Sequence, residues 1–204
     1  MVRFCGFLLV LLFVSAPVFA EDKGTEDNVY VSEDAAKDAQ DLYKRLKSIV
    51  KDLPEADKKH FYTIYEVHNL IETVEMVRGN VGKGVQSCAD ANPDLADGIQ
   101  AQYKTLSESL SPILEEADGL VRNLIIAQDY KKPKEITKFL DRADSVRAKT
   151  AGSLTKTYVS DVKSCKKLQK TITKTQGNLV KMLEEAIIAV PRSLGENRAE
   201  ETES

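Results

Sequence analysis

From Val67 to Cys88 an apolar side chain returns every three or four residues for three heptads: Val67, Leu70, Ile71, Val74, Val77, Val81, Val85 and Cys88. That spacing puts all eight on one face of an α-helix and fits no strand, whose period is two. A stripe this long has to be covered along its whole length, so the chain around it folds as a bundle of long helices.

The flanking segments repeat the pattern between clear stop signals. Ser32 followed by Glu33 and Asp34 is an N-cap with acids in the first turn. Ala35, Ala39, Leu42, Leu46, Ile49 and Leu53 then recur until Pro54. The second helix starts near Pro54 or Glu55 and runs to about Asp90. Asn92-Pro93-Asp94 restarts the chain as a third helix, with a stripe from Leu95 to Ala127 that Pro112 kinks without ending. After the Lys131-Lys132-Pro133 turn, a drifting stripe runs from Ile136 to Val190. It predicts one helix of about 55 residues, on the order of 80 Å long. The weakest points of that helix are Thr150–Ser153 and Gly177, and Pro191 stops it. The absence of Trp and the abundance of helix formers agree with this pattern. The expected fold is an all-α, elongated up-and-down bundle: three long helices, a shorter N-terminal helix and one inter-helix disulfide. Phe61, Ile64 and Tyr65 widen the second helix's apolar face near its start. Leu114, Val121 and Ile125 widen the third in its second half. Both extensions predict an extra neighbour, the short first helix, at the same end of the hairpin, with four helices there and three at the other end.

The first residues set the compartment. Arg3, an apolar run from Phe4 to Val14 and the small-residue site at Val18-Phe19-Ala20 form the pattern of a secretory signal peptide. The expected organisation is a signal peptide over 1–20, a disordered acidic leader over 21–31, a bundle over 32–190 and a disordered charged tail over 191–204. The expected location is periplasmic or secreted, with no transmembrane segment in the mature chain. Two cysteines then remain, Cys88 and Cys165, and an even count in an oxidising compartment predicts a bridge. Counting along a continuous fourth helix places Cys165 level with Gly98, about 5 Å from the height of Cys88. A reversal at Gly152 would instead separate the two by roughly 40 Å.

Few residues suggest chemistry. His68, Glu72 and Glu75 share one side of the second helix beside Met76, and one imidazole with two carboxylates could hold a divalent metal. Met76 with His68 or His60 could serve as axial haem ligands. The pattern lacks the paired Glu-x-x-His of di-iron bundles, and a solvated or capping face is the expectation. No cofactor and no metal are assigned. A ligand pocket, if the wide end holds one for lipid, haem or metal, would be lined by Phe61, Tyr65, His68, Leu114, Val121 and Ile125.

Charge is distributed unevenly. Residues 21–130 carry 12 basic and 22 acidic side chains, whereas residues 131–181 carry 14 basic and 4 acidic. Lys163, Lys166, Lys167, Lys170 and Lys174 crowd one stretch. They either neutralise acidic helices within the bundle or form a surface for an anionic partner. No aromatics interleave them, and nucleic acid is not an expected partner. A continuous fourth helix would also carry residues 171–190 about 30 Å beyond the bundle with an uncovered apolar stripe. That overhang would fold back at Gly177, pair with a second copy, or dock on a partner or membrane surface. The expected function is non-enzymatic contact, of adaptor or scaffold type.

Overall fold

The structure, a computed structural model, describes residues 32–153 and 157–202. The expected signal segment 1–20 and leader 21–31 lie outside these. Among the described residues the chain forms α1 (Glu33–Val50), α2 (Glu55–Ala91), α3 (Pro93–Ala127), α4 (Pro133–Ser153) and α5 (Val162–Thr202), and no strand.

Local chemistry accounts for most boundaries. The Ala35 amide donates to Ser32 Oγ at 3.3 Å, which caps α1. Pro112 sits exposed within a continuous α3, where its ring forfeits one backbone bond on the solvent side. Asn92 alone separates α2 from α3. It occupies the N-cap position of α3, but its side chain does not cap that helix. The amide Nδ2 instead donates to the Cys88 carbonyl at 3.1 Å and to the Ser160 carbonyl at 2.7 Å. One side chain thus ties the α2–α3 turn to the segment that leads into α5.

The single fourth helix expected over 136–190 is two helices. α4 ends at Ser153, and α5 begins at Val162 after a break. The Asp161 carboxylate accepts from the Ser164 amide at 2.9 Å, an N-cap that restarts the helix. Hydrogen bonds from the Ser164 amide and side chain hold the Asp161 carboxyl below the usual carboxylate range. Thr155, Thr157 and Val159 in the connection are β-branched and weak helix formers.

The Cys88–Cys165 bridge nevertheless forms, with the two Cα atoms 5.6 Å apart. The 21 residues of α4 rise about 30 Å, some 20 Å short of the height of Cys88. Eight connecting residues can span at most about 26 Å when extended but only about 12 Å as helix. The non-helical stretch 157–161 lengthens that reach, an option that a tight reversal at Gly152 leaves out.

From the bridge α5 runs back down the hairpin. Leu168 packs at Gly84 and Gln169 at Gly98, so α5 is antiparallel to α2 and parallel to α3. The up-and-down order holds throughout. Gly84 is buried, and a Cβ there would lie 3.3 Å from Leu168 Cδ2. Glycine one turn from Cys88 lets α2 and α5 approach as closely as the bridge requires.

Residues 171–190 consequently form no overhang. Ile172, Leu179, Leu183 and Val190 are buried in the core cluster shared with α2 and α3. Gly177 lies inside a continuous helix, and the backbone stays helical through Pro191 to Thr202, past the point where a proline stop was expected. The wide end does gain a neighbour, but it is α4 and not the short first helix expected there. α4 packs on α2 and α3, α1 packs on α4, and α4 and α5 share no extensive contact, so they lie on opposite faces of the hairpin. Phe61, Ile64, Leu114, Val121 and Ile125 are buried there. Asp38 holds α1 to α4 through Lys149 at 2.8 Å and Arg142 at 2.9 Å.

The bridge spans 77 residues. Chain-entropy reasoning makes it worth about 4 kcal/mol. Denaturant titration with and without reductant should show a loss of that order, and the unfolded, unreduced chain should show no reactive thiol in the described helices.

Candidate functional site

A polar cluster lies between α2 and α4. On α2 the core positions Val67, Ile71 and Val74 leave His68, Asn69 and Glu72 on the flank of the buried face. On α4 Ala143 and Val146 are buried, and Asp144 and Arg147 flank them in the same way. The two flanks meet. His68 Nε2 lies 2.9 Å from Asp144 Oδ1, and Arg147 Nη1 donates to the same oxygen at 2.7 Å. Arg147 Nη1 also lies 3.7 Å from Glu72 Oε2, and its Nη2 donates to Asn69 Oδ1.

The cluster is half-buried: His68 is 13% exposed, Arg147 20%, Asp144 34% and Glu72 36%. Burial pushes the Glu72 carboxyl above the usual range, and the negative charges of Asp144 and Asp118 push it the same way, against His68 and Arg147. One donor atom each from His68, Glu72 and Asp144 lies within 4.8 Å of the other two.

The expected residues divide accordingly. His68 and Glu72 join the cluster, whereas Glu75 pairs along its own helix with Arg78. Asn69, Asp144 and Arg147 were not anticipated. Their signal in the sequence is only that each sits beside a core position, which many solvated side chains share.

The proposed pocket residues are occupied by packing. Phe61 is fully buried with its ring 5.5 Å from that of Phe139, and Tyr65 lies 5.4 Å from the same ring. Leu114, Val121 and Ile125 belong to the same apolar core. Lower in the bundle, His60 Nδ1 and the Tyr130 hydroxyl are hydrogen-bonded at 3.0 Å.

The lysines occupy a separate face. Lys163, Lys166, Lys167, Lys170 and Lys174 are all exposed. At 100° per residue Lys163, Lys167, Lys170 and Lys174 fall on the side away from Cys165, Ile172 and Leu179, and Lys166 falls on the flank between. No helix among the described residues is long and apolar enough to cross a membrane. The chain matches no protein-family model, no curated protein and no solved structure.

Two outcomes test this site. Arg147→Ala leaves Glu72 and Asp144 without their guanidinium. At this intermediate exposure the loss should be about 1–2 kcal/mol in a chemical melt, between the surface and buried cases. Burial also holds the His60 imidazole below its ordinary value of 6.5, with Asp57 opposing. The unfolded chain then takes up that proton first, so stability present above pH 6.5 is lost as pH falls from 6.5 towards the lower folded value. Melts of His60→Gln across this interval should show a flatter slope than the wild type.

Proposed function

We propose that this chain is an exported, non-enzymatic helical bundle that acts by contact, and that α5 presents the docking face to a surface of anionic lipid head groups. The observation that carries this reading is the lysine face. Between Val162 and Leu183, α5 holds six lysines and no acid, and all six are exposed. From Lys163 to Lys181 they span about 27 Å of one helix.

The opposite face of α5 is bound to α2 and α3 and cross-linked at Cys165, so the helix that carries the lysines is held in place. Lysine is a compact, strongly hydrated point charge, suited to a field of phosphates, whereas bidentate recognition of single carboxylates favours arginine. Lys181 pairs with Glu185 at 3.7 Å, and Ile188, seven residues after Lys181 on the same face, is 57% exposed, so an apolar side chain lies beyond the basic stripe. That combination suits a head-group layer better than a freely soluble polyanion. A disulfide between helices suits an oxidising compartment.

Each lysine close to an anionic membrane contributes about 1 kcal/mol. The triple variant Lys166→Gln, Lys170→Gln and Lys174→Gln should therefore partition about 100-fold more weakly into phosphatidylglycerol-containing vesicles at low salt. Wild-type binding should weaken as salt is raised and should be absent on neutral phosphatidylcholine. A wild type that ignores anionic vesicles, or a triple variant that binds them equally well, overturns the reading.

A further inference from the structure

We propose that His68, Glu72 and Asp144 bind one divalent transition-metal ion of the Zn2+ class, which ties α2 to α4. The sequence assigned no metal to this chain because two of the three donors lie on α2 and the third arrives only when α4 packs against it.

The geometry is close to what such an ion needs. The three donor atoms lie within 4.8 Å of one another. Ligands at about 2.0–2.2 Å in a tetrahedral shell are separated by about 3.3–3.6 Å. Closing the shell takes side-chain shifts of about an ångström or so in groups that are partly exposed, and water can complete the coordination from the solvent side. An imidazole with two carboxylates suits Zn2+ or Co2+ better than Mg2+ or Ca2+, which favour all-oxygen shells.

Arg147 is the evident competitor, since its guanidinium already lies 2.7 Å from Asp144 Oδ1. Charge still favours a second cation. The Asp144 and Asp118 carboxylates both bear on Glu72, against His68 and Arg147, so with the imidazole unprotonated a negative excess remains. A carboxylate also has two oxygens. Arg147, itself bonded to Asn69, can stay on one oxygen of Asp144 while the ion takes the other, in the manner of an outer-shell group that orients a ligand. The imidazole has to present an unprotonated nitrogen, so protons compete with the ion and affinity falls as pH is lowered. Cys88 and Cys165 are consumed in their bridge and offer no thiolate.

The test uses the full, oxidised chain titrated with ZnCl2 in a calorimeter, with Co2+ as an absorbing probe and Mg2+ as a hard-cation control. The expected result is one Zn2+ per chain, a higher Tm in its presence, and visible Co2+ bands. His68→Ala and Asp144→Asn should each weaken Zn2+ at least about tenfold. Glu72→Gln, a milder change at the most exposed donor, keeps the test decisive if either of those variants loses helicity. His60→Ala, which removes the chain's other histidine, should bind as the wild type does. A wild type that takes no Zn2+, His68→Ala or Glu72→Gln binding unchanged, or Mg2+ matching Zn2+ each overturns the proposal.

Discussion

The Cys88–Cys165 bridge joins the last turn of α2 to the first turn of α5, and the arrangement of the bundle depends on that one covalent contact. It sets the height at which α5 begins. A helix that starts at the top of the hairpin can bury a long stripe only by running down it, so Ile172, Leu179, Leu183 and Val190 are covered by α2 and α3. The rest of α5 then has no choice of direction. Its lysines, most of them on the side away from that stripe, are exposed. Close approach at the bridge depends in turn on Gly84, where Leu168 fills the space a side chain would take.

The opposite end is organised by length. α4 has 21 residues against 37 in α2, so it covers the hairpin only part of the way. Where it does, apolar contacts such as Phe61 and Tyr65 around Phe139 fill the seam. At the edge of the seam the polar flanks of the two helices meet half-buried. His68, Glu72, Asp144 and Arg147 satisfy one another there because neither water nor the core can serve them fully. A bundle that is three helices thick at one end and five at the other therefore has two distinct kinds of surface. One is a long basic ridge on a single helix, and the other is a charged cleft where two helices converge.

Much of this was legible in the residues. Ser32, Pro54, Asn92-Pro93 and Lys131-Lys132-Pro133 mark helix boundaries that are observed within a residue or two, because caps and prolines act locally. The break between α4 and α5 was not legible, because Leu154, Tyr158, Val162 and Cys165 continue the stripe in phase across it. Periodicity reports which side chains are apolar, not whether the backbone between them is helical. The local clues were Asp161 at a capping position and β-branched residues before it, signals weaker than an uninterrupted stripe. His68 and Glu72 were visible as a pair on one helix. Asp144 and Arg147 were not, since side chains 75 residues apart have no spacing rule to connect them.

The sequence by itself determined the first three helices, the amphipathic faces and the pair of cysteines available for a bridge. These follow from interactions within a few residues and from counting. The direction of α5, the outward turn of its lysines and the convergence of His68, Glu72 and Asp144 were decided only by tertiary structure. Each depends on how far a non-helical connection reaches and on which helix covers which face. Those are properties of the packed chain, in which one cross-link and one short helix choose among arrangements that share the same local pattern.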